Sequence, residues 1–260
     1  MKVILSVFLT LALTFLFTIH GFAENNAVSW YCVRKKDNSQ PSLSNELRYT
    51  ESYDLFWCEK KHQNYCDDKK VIYLTFDAGY ENGNIEKILN TLKNEDVKAT
   101  FFILDNLILK NSDLVKRMID EGHLVANHTM KHKDMTKLQG IEDFSKELTD
   151  LENLFEANYG VKMEKYYRPP EGKISEKNLK WAQELGYKTV MWSFAYADWD
   201  NGKQPSPKSA ISKILENIHN GEVMLLHPTS STNAQIMSDL IKALKSQGFV
   251  FETVEELCKK

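Results

Sequence analysis

From Val71 onward, short apolar runs and amphipathic helical stretches take turns without a break, and this alternation leaves the chain very few folds. Val71-Ile72-Tyr73-Leu74-Thr75-Phe76 reads as a buried strand, followed by a helix from Ile85 to Asn94. Thr100-Phe101-Phe102-Ile103 comes next, then a helix near Asp113 to Glu121 with Gly122 just past its end. His123-Leu124-Val125-Ala126 is the third strand, and a long helix from Ile141 to Tyr159 stops at Gly160. Tyr166-Tyr167 is the fourth, before a helix from Ser175 to Leu185 ended by Gly186. Lys188-Thr189-Val190-Met191-Trp192 is the fifth, and Pro207 opens the next helix at its first turn. Glu222 to Leu226 and Phe249-Val250-Phe251 complete the set, with a helix from Asn233 to Gln247 between them. Strands that always return through a helix pair in parallel. Seven strands fall one short of a regular eight-unit barrel, so a strained or open barrel and an open doubly wound sheet both satisfy the pattern. Either architecture puts function at the carboxyl ends of the strands.

The first residues are of another kind. Lys2 precedes an apolar run from Val3 to Ile19, diluted only by Ser6, Thr10, Thr14 and Thr18, and Gly21-Phe22-Ala23 forms a small-x-small exit. This is the form of a secretory signal peptide over residues 1–23. An uncleaved membrane anchor is the competing reading, because the run is close to the shortest that spans a bilayer. On both readings the rest of the chain lies outside the cytoplasm. Residues 24–70 carry no sustained periodicity, only scattered aromatics (Trp30, Tyr31, Tyr53, Phe56, Trp57) and charged clusters such as Arg34-Lys35-Lys36-Asp37. We read them as an extension, too short for a core of its own, whose aromatics pack onto a main domain at 71–260. A net charge of −3 and a pI near 6.2 argue against a nucleic-acid binder. Cys32, Cys58, Cys66 and Cys258 allow three disulfide connectivities, and no Cys-x-x-Cys pair suggests a thiolate zinc site. They read as staples or spectators, with their redox state open.

Chemistry-bearing residues collect at the strand ends. The first strand runs into Asp77-Ala78-Gly79-Tyr80, the third into His128-Thr129-Met130-Lys131-His132, and the fourth into Arg168-Pro169-Pro170-Glu171-Gly172. Asp198-Trp199 follows the fifth, and His227 ends the sixth. Taken singly, each has an ordinary explanation: a helix cap, a surface pair, a tight turn, a core tryptophan, a hydrogen-bonded histidine. Two histidines four apart share one face of a helical turn and can hold one metal ion together. An aspartate, a histidine pair, an arginine loop and a further histidine, all at one end of one sheet, compose a metal-assisted hydrolase.

In order, these blocks resemble the motifs of the polysaccharide deacetylases, the NodB-like carbohydrate esterases of family 4. Thr75-Phe76-Asp77-Ala78 resembles the family's Thr-Phe-Asp-Asp, and His128-Thr129-Met130-Lys131-His132 its His-Ser/Thr-x-x-His. Arg168 to Gly172 is similar to its Arg-x-Pro-x-Gly loop, Asp198-Trp199 to its Asp-Trp, and Leu225-Leu226-His227 to its Leu-x-His. The string Thr75 to Gly83, with the arginine loop, resembles the branch that forms muramic δ-lactam in spore cortex peptidoglycan. The resemblance implies a deformed (β/α)7-type barrel and a secreted or cell-envelope hydrolase of carbon–nitrogen bonds other than peptide bonds. Its reaction would be N-deacetylation of N-acetylmuramic acid in peptidoglycan glycan strands. It also implies roles: Asp77 as general base, His227 as general acid, Arg168 orienting Asp77, and His128 and His132 holding a divalent cation, zinc-like. The Glu171 N–H would meet the oxyanion, Leu225 would line the acetyl pocket, and Tyr80 and Trp199 would bind substrate. No nucleic-acid or protein partner is implied, and a membrane enters only if the first segment stays uncleaved.

The chain departs from the family pattern in three places. Ala78 stands where the family has a second aspartate, normally a metal ligand, so two protein ligands remain. The carboxylate that tunes the acid histidine falls on Ala195, and we expect Glu171 to supply one instead. Lys133 replaces a proline after the second histidine. Two alternatives accompany the muramic reading: a general peptidoglycan or chitooligosaccharide N-acetylglucosamine deacetylase, and a glycan-binding remnant without activity. The retained Asp77, Arg168 and His227 speak against the remnant, since binding alone needs no acid–base pair.

Overall fold

The structure, a computed structural model, describes residues 26–259, and the expected signal peptide lies outside the described residues. In chain order the strands and helices are β1 (Val28–Ser29), β2 (Leu55–Phe56), β3 (Lys70–Ala78), α1 (Ile85–Asn94), β4 (Thr100–Ile103), α2 (Asp105–Lys110), α3 (Ser112–Asp120) and β5 (Leu124–Asn127). Then come α4 (Ile141–Tyr159), β6 (Tyr166–Tyr167), β7 (Lys173–Ile174), α5 (Glu176–Glu184), β8 (Lys188–Val190) and β9 (Phe194–Ala195). The last are α6 (Pro207–Leu215), β10 (Glu222–Leu226), α7 (Ser231–Ser246), β11 (Phe249–Glu252) and α8 (Val254–Leu257).

Nine of these strands form one parallel sheet in the order β2-β8-β6-β5-β4-β3-β10-β9, with β11 against the first half of β3. The choice between barrel and open sheet is settled by chain length. Six strand spacings separate β8 from β9 along that order, about 29 Å in a flat sheet. Only Met191, Trp192 and Ser193 join them in sequence, a link of at most about 14 Å. The sheet must therefore curl until β8 and β9 stand within about 14 Å of each other, giving a deformed barrel with a seam.

Strand β3 divides its side chains between two layers. Ile72, Leu74, Phe76 and Ala78 pack outward with residues of the covering helices, including Ile85, Leu89, Met237 and Ile241. Val71 and Tyr73 point inward with Phe102, Ala126, Val190 and Val223 from the other strands. Thr75 and Asp77 continue this inward row, so period-two alternation delivers Asp77 to the mouth of the barrel.

The structure adds elements the periodicity does not announce. Helix α2 is six residues long, too short to display a helical pattern. Strand β8 stops at Val190 instead of Trp192, because Arg168 takes the carbonyls of Val190 and Met191. In the extension, Trp30 and Trp57 are buried edge to face at 5.9 Å, whereas Tyr31 is exposed. Strand β2 pairs with β8, and Cys58 then bridges Glu222 of β10, so the extension fills the seam at the amino end of the barrel. All four cysteines are free thiols. Among the described residues no helix is long and apolar enough to cross a membrane.

Candidate active site

A cavity of about 910 Å³ opens at the carboxyl ends of the strands and is lined by Asp77, His128, His132, Glu171, Leu225 and His227, among others. Arg168 stands fully buried beneath it, its guanidinium 4.1 Å from the Phe102 ring centroid. Its Nε donates to the Val190 carbonyl (3.1 Å), and its Nη1 donates to Thr75 Oγ1 (2.9 Å) and Asp77 Oδ1 (2.8 Å). Fixed backbone and hydroxyl acceptors therefore aim the charge at one carboxylate oxygen. Burial alone would raise the Asp77 carboxyl, but the charge and hydrogen bond of Arg168 outweigh it and hold it below the usual value.

The histidine pair does not lie on a helical turn. Residues 128–132 form an irregular loop in which Thr129 (φ 75°) and His132 (φ 54°) are left-handed. The Thr129 N–H donates to Asn127 Oδ1 (2.8 Å), and the His132 N–H donates to Thr129 Oγ1 (3.0 Å). These side-chain acceptors replace the backbone bonds that a helix would need. The two imidazoles still meet, with ring centroids 5.0 Å apart. Left-handed backbone at a β-branched residue costs energy, and such strain gathers at functional sites. Glu171 (φ 56°) is a third case in the same mouth.

His128 donates from Nδ1 to the Arg168 carbonyl at 2.8 Å, which leaves a lone pair on Nε2. Burial lowers this imidazole to about 4, so it is neutral, and its Nε2 faces Asp77 Oδ2 at 3.6 Å. Two lone-pair donors confronting each other without a proton between them fit a cation, with His132 beside them. Ala78 adds no donor, because it belongs to the outward, helix-facing row. Among the described residues no three His, Cys, Asp or Glu side chains form a ready metal cluster. The donor chemistry thus suits a divalent cation on two imidazoles, without a closed cage of protein ligands.

On the other side of the mouth, His227 donates from Nδ1 to Asp198 Oδ1 (2.7 Å), and its backbone N–H donates to Asp198 Oδ2 (2.8 Å). Asn233 donates to the same Oδ2 (2.6 Å) and to the His227 carbonyl (3.0 Å), and the Tyr196 hydroxyl bonds Asn233 Oδ1. Burial would lower the imidazole, but the Asp198 bond and the charges of Asp198 and Asp77 outweigh it and raise it above the ordinary histidine value. With Nδ1 engaged by Asp198, Nε2 is the ring nitrogen left to exchange a proton in the cavity.

This corrects the expectation for Glu171. Its carboxylate is half-exposed and pairs with Lys173 Nζ at 2.7 Å, while the partner of His227 is Asp198. Leu225 is nearly buried at the cavity floor, and Tyr80 and Trp199 are exposed at its rim, with the Asn201 amide donating to the Tyr80 hydroxyl. Sequence reasoning missed Asp198 as the orienting group, although it stands in a recognised Asp-Trp pair. Asn233 and Tyr196 carry no local signal, because their roles depend on how α7 docks.

Residues 64–190 match the polysaccharide deacetylase family. The chain is 36% identical over 234 residues to the peptidoglycan-N-acetylmuramic acid deacetylase PdaA of Bacillus subtilis, spanning 90% of this chain and 86% of that protein. The structure of Bacillus subtilis PdaA, a family 4 carbohydrate esterase, superposes with a TM-score of 0.83 over 90% of this chain and 97% of that one. A family 4 carbohydrate esterase from Bacillus anthracis follows with a TM-score of 0.72 at 33% identity, over 90% and 96% of the two chains. Similarity that runs through the barrel, the extension and the mouth alike makes the chain a member of the polysaccharide deacetylase family, the NodB-like carbohydrate esterases of family 4.

Proposed function

We propose that this chain removes the N-acetyl group from N-acetylmuramic acid in peptidoglycan. One observation carries the reading: Asp77, paired with the Arg168 guanidinium, and His227, paired with the Asp198 carboxylate, face the same cavity, the arrangement a base and an acid need. The substrate is supported by the likeness to the Bacillus subtilis muramic acid deacetylase.

Asp77 accepts the proton of the attacking water, and Arg168 keeps its carboxylate aimed and ionised throughout. The oxyanion leans on the Glu171 backbone N–H at the cavity wall. His227 protonates the leaving amine, since an amide anion is too basic to depart, and Asp198 stabilises the imidazolium beforehand. Leu225 bounds the acetyl methyl, and Tyr80 and Trp199 offer aromatic faces to the sugar ring. His128 and His132 are the residues that would hold a divalent cation, for which zinc suits the imidazole pair. When bound, it would supply Lewis-acid polarisation of the amide.

The freed amine on C2 and the lactyl carboxyl on O3 of the same sugar close a six-membered lactam with loss of water. This makes muramic δ-lactam, a spore cortex component, the product class we infer. Residues 1–23 direct export to the envelope, residues 24–70 form the extension, and residues 71–260 form the catalytic domain. The test is acetate release from peptide-free muramic glycan, against N-acetylglucosamine oligomers, with chelator and with added metals. Release from the muramic substrate is expected. Release from the glucosamine oligomers alone would move the substrate, and none from either would leave a binding protein.

A further inference from the structure

Trp30 lies outside the motifs, in the extension, and it touches two walls of the cavity at once. Its backbone N–H donates to the Gly172 carbonyl at 2.8 Å, in the turn that carries Glu171. Its indole Nε1–H donates to the Trp192 carbonyl, also at 2.8 Å, 162 residues away in sequence. Gly172 (φ 62°) is wedged between the two tryptophans: a Cβ there would come within 2.5 Å of the Trp192 ring and 3.3 Å of Trp30 Cβ. Just before Trp30, β1 pairs with β7, which leaves the same turn.

The contact continues along the extension. Cys32 Sγ donates to the Ser193 carbonyl (3.0 Å) and Arg34 Nη1 to the Ala195 carbonyl (3.1 Å). Trp30, Cys32 and Arg34, alternate residues of one segment, thus satisfy carbonyls along the link that closes the barrel and into β9. That link has Arg168 on the carbonyls of Val190 and Met191, and it leads into Asp198, which orients His227.

We propose that Trp30 is a positioning residue for deacetylation: by bonding Gly172 and Trp192 together it sets the distance between the Glu171 N–H and the wall leading to Asp198 and His227. This rests on reading the cavity as the deacetylase site. An oxyanion donor matters most in the transition state, so loosening it lowers kcat and kcat/KM together and leaves KM nearly unchanged.

The test uses Trp30→Phe in the full chain, which deletes the indole donor and keeps an aromatic ring and the backbone N–H. We expect kcat per folded molecule to fall roughly tenfold, with KM changed less than about twofold. Hydrogen exchange should quicken in peptides covering residues 168–174 and 190–198, with β3 unaffected. Arg34→Gln, on an exposed side chain, breaks another bond of the same segment and should give the same pattern at smaller amplitude. Tyr31→Ala, on the exposed side, should change neither readout. A Trp30→Phe protein that loses only melting temperature, with normal kcat and normal exchange in both loops, overturns the proposal. If the unaltered chain releases no acetate, the functional reading fails instead, and the exchange measurement still decides whether Trp30 holds the two loops.

Discussion

Strand β10 carries a histidine–carboxylate pair at each end, and the two pairs are in opposite states. At the carboxyl end, His227 meets Asp198 at 2.7 Å, with its imidazole raised above the ordinary value and partly open to the cavity. At the amino end, His219 Nε2 stands 3.6 Å from Glu222 Oε2, and both side chains are sealed from solvent. Burial lowers His219 to about 4 and pushes Glu222 well above its usual value, so this pair is neutral. His219 Nε2 and Glu222 Oε1 have no hydrogen-bond partner. Residue types and burial alone do not make an acid. Asp198 becomes a counter-ion because the His227 N–H and Asn233 together hold its second oxygen and aim its first, whereas Glu222 receives only the His219 N–H, at 3.3 Å, with no second donor beside it.

The sharpest test of that contrast removes one charge at each end. Asp198→Asn should lower kcat by roughly 10²–10⁴, because the imidazolium loses its stabilising carboxylate. Glu222→Gln exchanges an already neutral acid for an amide and should leave acetate release unchanged, with stability altered by no more than about 1 kcal/mol. Equal losses in the two variants would end the distinction. Next in size is Arg168→Met, which strands the Asp77 carboxylate in a buried site. Urea titration should show a loss of about 3–5 kcal/mol, part of which returns in the Arg168→Met, Asp77→Asn double variant because the unpaired charge is gone.

The same contrast explains what the sequence could reveal. All seven expected strands exist, because each apolar run is a local pattern, and Asp77 could be placed at the mouth by counting along β3. The distinction between His227 and His219 was not legible, since it depends on Asp198 and Asn233 arriving from other elements. The loop at 128–132 departs from the helical turn that the histidine spacing suggests for a related reason. Its shape comes from Asn127 and Thr129 side chains competing with the backbone, which a spacing rule does not register. The closing of the seam by β2 and Cys58 is also non-local and carries no periodicity.

Acidity should separate the two ends in another way. With Asp77 as the proposed base and His227 as the proposed acid, the rate should rise as pH passes the lowered Asp77 value and fall as pH passes the raised His227 value. Stability follows different histidines. His219 and His123 are both lowered to about 4 from 6.5 by burial, so the unfolded chain binds protons that the folded one refuses. Their contribution is fully present above pH 6.5 and is lost as pH falls through that window toward 4. Melting temperature should therefore drop between pH 7 and 4, and His219→Gln should flatten part of that drop.

The smallest expected effect concerns Glu171, where side chain and backbone have separate roles. Its carboxylate is 55% exposed and bound to Lys173, which also keeps Asp134 at 3.3 Å. Exposed ion pairs contribute little, so Glu171→Gln should change stability by less than about 1 kcal/mol and leave the pH–rate profile in place. Glu171→Gly should go slightly further in the favourable direction on folding strain, since glycine takes the left-handed backbone at φ 56° without the Cβ penalty. Both variants keep the backbone N–H proposed to meet the oxyanion, so both should retain kcat to within about threefold. A shifted alkaline limb in Glu171→Gln would mean that its carboxylate reaches His227 after all, and that Asp198 is not the sole source of the difference between the two ends of β10.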